Sequence, residues 1–177
     1  MDYFKAKKIY NKSIYSLDGK KNGAISGHNV TMPFELAKKS NKNLRIGNNT
    51  SIQTSQIDLR LPINIRNNVI IGSNVETITL SQNIDSIDWE HKYYGCKIED
   101  YVWISTKALI LPSARVIGYG SVIGAGSVLS KNTESMDIMV GNPATLLRKR
   151  KLVHTDLCVQ SLLGNDLITY VKTYLNN

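Results

Sequence analysis

"ALILPSARVIGYGSVIGAGSVLSKN", residues 108–132, decides the fold. Ile110, Ile117, Ile123 and Leu129 lead successive units, and Ala114, Ser121, Ser127 and Thr133 follow them four places later. The pattern extends upstream, where Ile98 and Ile104 lead Val102 and Ala108. Before that, Leu59, Ile65 and Ile71 lead Ile63, Val69 and Val75, and Ile46-Gly47 leads on to Ile52. A branched apolar residue at every sixth position, with a small or branched one four later, fits neither a 3.6-residue helix nor strand alternation.

A parallel β-helix of hexapeptide repeats does fit it. Each unit supplies a short strand and a turn, three units make a triangular coil, and coils stack at the spacing of neighbouring strands, about 4.8 Å. The leading aliphatic residue points inward onto its counterpart in the next coil, while Gly, Asn and Asp serve the tight corners. The phase slips between Ile52 and Leu59, and again between Ile110 and Ile117, read as corner insertions. The stretch from Leu80 to Cys96, including "TLSQNIDSIDW" at 79–89, breaks the repeat with polar residues and reads as a loop thrown out of one corner.

The expected organisation is all-β: an N-terminal segment 1–40, a β-helix domain 41–147 carrying the loop 80–96, and a C-terminal basic segment with short helices, 148–177. After Thr133 the stretch "GNPATLLRKRK" is expected to turn the chain off the stack. Thr155 is placed to cap a helix carrying Leu157, Leu162 and Leu163, and a second helix carries Leu167, Ile168, Val171 and Leu175. A length of 177 residues, with 42% hydrophobic and 20% charged, suits one well-buried domain with terminal additions. No run of about 18 apolar residues occurs, so no membrane span is expected, and no signal peptide is read at the N-terminus. The cytoplasm is the default compartment, with Cys96 and Cys158 as free thiols. A net charge of +8 favours anionic partners, and its tightest cluster is Arg148-Lys149-Arg150-Lys151. No motif or aromatic interleaving supports nucleic-acid binding, and no His/Cys cluster suggests a metal.

"DYVWIST" at 100–106, the stretch 108–132, "VGNPATLLRKR" at 140–150 and the loop together resemble the hexapeptide-repeat acyltransferases, in particular the galactoside, maltose and polysaccharide-sugar O-acetyltransferase branch. The resemblance implies a left-handed β-helix and a homotrimer with active sites between neighbours. It implies acetyl transfer from acetyl-CoA to a sugar or nucleotide-sugar hydroxyl or amine, in surface polysaccharide synthesis. By the same resemblance Trp103 packs against the catalytic side chain, Thr106 and Ala125 touch the pantetheine arm, and Ser130 and Lys131 lie near the nucleotide end. Ser105 stands on that edge where glycine is usual. Arg148 matches a basic residue reaching the CoA phosphates, while Thr145 stands where relatives often have another arginine, so that this phosphate contact is either lost or moved to Lys149 or Arg150.

The loop departs from the family. Gln82 and Asn83 stand where the resemblance places a catalytic histidine and an aspartate, and an amide side chain has no titratable site with which to remove a proton. Three explanations stay open: His91, later in the same loop, serves as base; the acceptor is an amine that needs none; or the chain is a catalytically impaired binding or scaffold protein. His28 and His154 receive no role.

Overall fold

The computed structural model describes residues 14–16 and 19–153. The described residues open with β1 (Ile14–Ser16), β2 (Gly19–Lys21), β3 (Ala24–Ser26), β4 (Val30–Pro33) and helix α1 (Phe34–Lys39). There follow β5 (Leu44–Ile46) and β6 (Thr50–Ile52), then β7 (Ile63–Ile65), β8 (Ile70–Ile71) and β9 (Glu76–Thr77). The excursion is β10 (Leu80–Gln82) and β11 (His91–Tyr93). The stack resumes with β12 (Cys96–Ile98), β13 (Trp103–Ile104) and β14 (Leu109–Ile110), then β15 (Val116–Ile117), β16 (Val122–Ile123) and β17 (Val128–Leu129). It closes with β18 (Asp137–Gly141) and β19 (Ala144–Lys149).

These strands stack in parallel as three faces. Face A runs β4-β6-β8-β13-β16-β18, face B runs β3-β5-β7-β12-β15, and face C runs β9-β14-β17. Consecutive strands visit faces B, A and C in turn, so each coil is a triangle, as the period of six requires. The leaders form the core: Ile98, Ile104, Ile117, Ile123 and Leu129 are fully buried, and Val102, Ala108, Ala114, Ser121 and Ser127 line the corners inside them. Burying each such isoleucine stabilises the stack by about 1.5–3 kcal/mol.

Backbone conformation at the corners repeats too. Asn29, Asn49, Asn68, Tyr101, Gly120 and Met136 all have positive φ between faces B and A, and Asn74, Lys107 and Gly126 do so between A and C. Asparagine accepts the left-handed conformation readily, and successive asparagines bond one another, Asn29 Nδ2 donating to Asn49 Oδ1 at 2.9 Å. Gly118 follows its leader for a different reason: a Cβ there would sit 2.5 Å from the Glu134 carbonyl carbon of the overlying coil.

One corner absorbs nearly all the irregularity. Ile57 bridges Thr77 and so holds the face C position, which resolves the first slip. From face C to face B the chain then runs unevenly, from Ile57 to Ile65, from Thr77 to Ile98 and from Ile110 to Ile117, while the other corners of those coils stay regular. In the coil before these, α1 replaces face C altogether.

Both ends differ from expectation. Parallel pairing already joins Ile25–Ser26 to Arg45–Ile46, so the stack begins well before residue 41. At the other end "GNPATLLRKRK" does not leave the stack: β18 pairs in parallel with β16, and β19 folds back antiparallel upon it as the last strand of the sheet. The turn at Gly141, φ +98°, reverses the chain and lets the edge of β18 find a partner. The expectation of two C-terminal helices, together with His154 and Cys158, falls outside the described residues.

Candidate active site

The loop is a β-hairpin. Leu80, Ser81 and Gln82 pair with Tyr93, Lys92 and His91. Gln82 therefore faces His91 directly, an adjacency hidden in the sequence by the eight residues between them. Asn83 N–H donates to Glu90 O at 2.8 Å and Tyr94 N–H to Thr79 O at 3.0 Å, which marks those as the bonded pairs of the ladder. Alternation makes Gln82 and His91 a non-bonded pair, the type with the closer side chains, Cβ atoms about 4.5–5.5 Å apart on one face. Leu80 and Tyr93 share that face, and the His91 and Tyr93 ring centroids are 6.2 Å apart. Asn83 begins the turn and is half-buried, its carbonyl accepting from Ser86 N–H at 3.2 Å.

The root of the hairpin is fastened to the stack. Asp58 accepts from Thr79 N–H at 2.9 Å and Thr79 Oγ1 at 2.8 Å, and from both Nε and Nη2 of Arg60. Burial pushes the Asp58 carboxyl up, but hydrogen bonds from Arg60 and Thr79 outweigh it and hold the group well below the usual carboxylate range. On the other side the Arg115 guanidinium lies 4.7 Å from the Tyr94 ring centroid.

The remaining candidates fall into two groups. Trp103 projects outward from face A, 45% exposed, in a row that continues through Val122 and Ile138 to Arg148 on β19. Ser105, Thr106 and Ala125 stack beside this row at the corner between faces A and C, where Gly126 N–H donates to Thr106 O at 3.0 Å. Ser130 and Lys131 instead follow β17 at the corner between faces C and B, the corner that carries the hairpin. In a triangular prism that corner lies opposite face A. One chain therefore holds Gln82, Asn83, His91, Ser130 and Lys131 on one side, and Trp103, Ser105, Thr106, Ala125 and Arg148 on the other.

Within the basic cluster the structure discriminates. Lys149 pairs with Asp137 at 2.7 Å and Glu134 at 2.9 Å, partners that raise its pKa. Arg150 donates Nη1 to the carbonyls of Tyr101 and Gly120, each at 3.2 Å, fastening the corner between faces B and A. Both are engaged in the scaffold, whereas among the described residues Arg148, exposed on the Trp103 row, donates only Nη1, to the adjacent Lys149 carbonyl at 3.1 Å, and Lys151 is exposed beyond it. The sequence left Lys149 and Arg150 as equal candidates for the contact missing at Thr145, because side-chain direction along a bulged strand is not visible in a run of like charges.

Cys96 begins β12 and is buried, its thiol pushed up to about 12 by that burial, so it stays protonated and inert. His28 is exposed between β3 and β4, at the corner between faces B and A, away from the hairpin. Among the described residues no cluster of His, Cys, Asp and Glu is arranged to hold a metal, and no helix is long and apolar enough to cross a membrane. A groove of about 360 Å³ on face B, lined by Arg45, Arg66 and Lys97, was not anticipated; Glu99 pairs with the latter two.

Fold and site define a class, a hexapeptide-repeat β-helix with a hairpin built out of one corner. Within it, the relatives are acetyltransferases. A candidate acetyltransferase of Schizosaccharomyces pombe is 38% identical over 93 residues, 49% of this chain and 43% of that protein. The galactoside O-acetyltransferase of Lactococcus lactis is 32% identical over 91 residues, 48% of this chain and 42% of that protein. The chain thus spans less than half the length of these curated relatives. A hexapeptide-repeat acetyltransferase from Vibrio cholerae superposes with a TM-score of 0.57 at 32% identity, covering 63% of this chain and 65% of that one. Its complex with acetyl coenzyme A gives a TM-score of 0.62 at 25% identity, covering 86% and 80%. No family model matches the chain. The likeness to hexapeptide-repeat acetyltransferases read from the sequence, and the β-helix it implied, are both found.

Proposed function

We propose that this chain transfers the acetyl group of acetyl-CoA to a hydroxyl or amine of a sugar or nucleotide sugar. The site is completed between neighbouring copies of a homotrimer. One observation carries the composite site: the two groups of candidate residues lie on opposite sides of a single prism, so one chain cannot bring Trp103 to its own hairpin. Copies packed around a threefold axis set the face A row of one against the hairpin corner of the next. The groove this makes between them runs along the stacked coils, the direction in which an extended thioester ligand would lie.

In this arrangement Ser105, Thr106 and Ala125 present backbone and small side chains to the pantetheine arm. Arg148 meets phosphate oxygens, which its planar fork suits. Ser130 and Lys131 approach the nucleotide end from the adjoining copy, and Trp103 walls the reaction centre opposite Gln82 and Asn83. The hairpin supplies the acceptor side. The acetyl-CoA-bound Vibrio cholerae neighbour and the acetyltransferase relatives support the reading, and an acceptor from surface polysaccharide synthesis extends it.

The test is release of CoA from acetyl-CoA with a panel of sugars and amino-sugar nucleotides, beside sedimentation to count subunits. Expected are a trimer and acceptor-dependent release. Arg148→Ala should weaken CoA binding about tenfold or more, since a hydrogen bond to a charged group contributes roughly 1.5–3 kcal/mol. Binding of acetyl-CoA without transfer to any acceptor would overturn the enzymatic reading in favour of a scaffold. A monomer with full activity would overturn the composite site.

A further inference from the structure

The hairpin register points to an answer for the missing base. We infer that His91 is the general base of this site, supplied from the strand opposite Gln82, so that the catalytic imidazole has crossed the hairpin. This rests on the acetyl-transfer reading above.

The argument is geometric. A side chain at position 82 and one at position 91 are direct partners on the same face of the ladder. In a non-bonded pair their Cβ atoms are only about 4.5–5.5 Å apart, so a side chain from either strand can cover the same patch of that face. Exchanging which strand carries the ring therefore keeps it on the same face at the same level of the ladder, while a one-residue displacement along either strand would send it to the opposite face. Tyr93 shares the face and sets its ring beside the imidazole at 6.2 Å between centroids, tilted 52°. Among the described residues no hydrogen bond occupies either ring nitrogen of His91, so both are open to an acceptor. The opposing strand, Leu80–Gln82, brings no charged side chain. The charged neighbours on the ring's own strand, Glu90 and Lys92, alternate to the other face, and Asp85 and Asp88 lie in the turn. The hairpin is anchored at its root through Asp58–Thr79 and Arg115–Tyr94, which gives the ring a fixed place relative to the coils.

The step balances without another reagent. A neutral ring nitrogen of His91 takes the proton of the acceptor hydroxyl as that oxygen forms its bond to the acetyl carbonyl carbon. The carbon–sulfur bond breaks, and the imidazolium returns the proton to the departing sulfur. The products are an acetyl ester, free CoA thiol and neutral His91.

The experiment compares wild type, His91→Gln and the double exchange Gln82→His/His91→Gln in acetyl transfer to a hydroxyl acceptor across pH, with acetyl-CoA binding measured alongside. His91→Gln should lower kcat by about 10²–10⁴-fold with binding unchanged, and should abolish the acid limb of the pH–rate profile. The double exchange should regain at least tenfold over His91→Gln and restore the limb. If His91→Gln keeps the wild-type rate, or loses rate yet keeps the wild-type pH profile, the assignment is overturned. Transfer confined to amines and indifferent to His91 overturns it equally, in favour of a base-free route. A wild type that binds acetyl-CoA and transfers to nothing overturns the acetyltransferase reading and His91 with it, whereas undiminished transfer by His91→Gln removes His91 alone.

Discussion

The corner between faces A and C and the corner between C and B are built from the same repeat, yet they differ in what they tolerate. At the first, Ser105-Thr106-Lys107 and Gly124-Ala125-Gly126 stack in register, each coil bonded to the next. At the second the chain spans different lengths in successive coils and throws out a hairpin held by two hydrogen bonds to Asp58 and a ring contact. A regular corner makes a continuous edge along which an extended ligand can lie. An irregular one makes a single projecting tool, and its position is only as firm as its anchors.

Substitutions can break this comparison. The largest effect is expected at the shared core. Ile104→Ala, beneath the regular corner, should cost about 2–5 kcal/mol in denaturant unfolding and lower activity only by unfolding the protein. At the irregular corner Asp58→Ala leaves the Thr79 donors unpaired and should cost roughly 1–3 kcal/mol. Hydrogen exchange should place much of that loss in residues 79–94, with acetyl transfer falling while acetyl-CoA binding is kept. If the loss spreads evenly over the stack, the hairpin is not an independently anchored unit. The pH sign follows from the lowered Asp58 pKa: its contribution is complete above the unfolded carboxylate value near 4 and is lost only as pH falls through the lower folded one. Stability attributable to Asp58 should thus be flat from pH 7 to pH 5, because both the unfolded and the folded carboxylate values lie about one unit or more below that range. Arg115→Ala should cost about 0.5–1 kcal/mol and loosen the same segment. The smallest change sharpens the comparison from the other side. Lys107, with φ +60°, should gain about 0.5 kcal/mol on replacement by glycine, since relief of left-handed strain slightly exceeds the added chain entropy. A thermal melt would register it.

The end of the chain shows how far a repeat can be read. Up to Thr133 each inward residue follows from the period, and Ser121, Ser127 and Thr133 are buried as small corner residues should be. Beyond it the period stops and the reading placed the chain off the stack. Yet β18 keeps parallel pairing with β16 and β19 covers its edge. The open edge of the last coil needs a partner, and that demand comes from unpaired backbone groups, which carry no side-chain signature. The same blindness affected the basic run. Four like charges in a row look alike, but Lys149 and Arg150 are drawn to Asp137 and to two corner carbonyls, and Arg148 is not.

The sequence by itself determined the triangular coil, its core residues and the loop's point of exit, because a period of six acts locally and is written in side-chain type. It also showed that the familiar loop histidine is absent. Only the tertiary structure decided that Gln82 and His91 face each other, that the hairpin corner lies opposite the Trp103 row, and that the last two strands close the stack. Those are facts of strand register and of three-dimensional adjacency, set by backbone hydrogen bonds between segments whose separation along the chain says nothing about their distance in space.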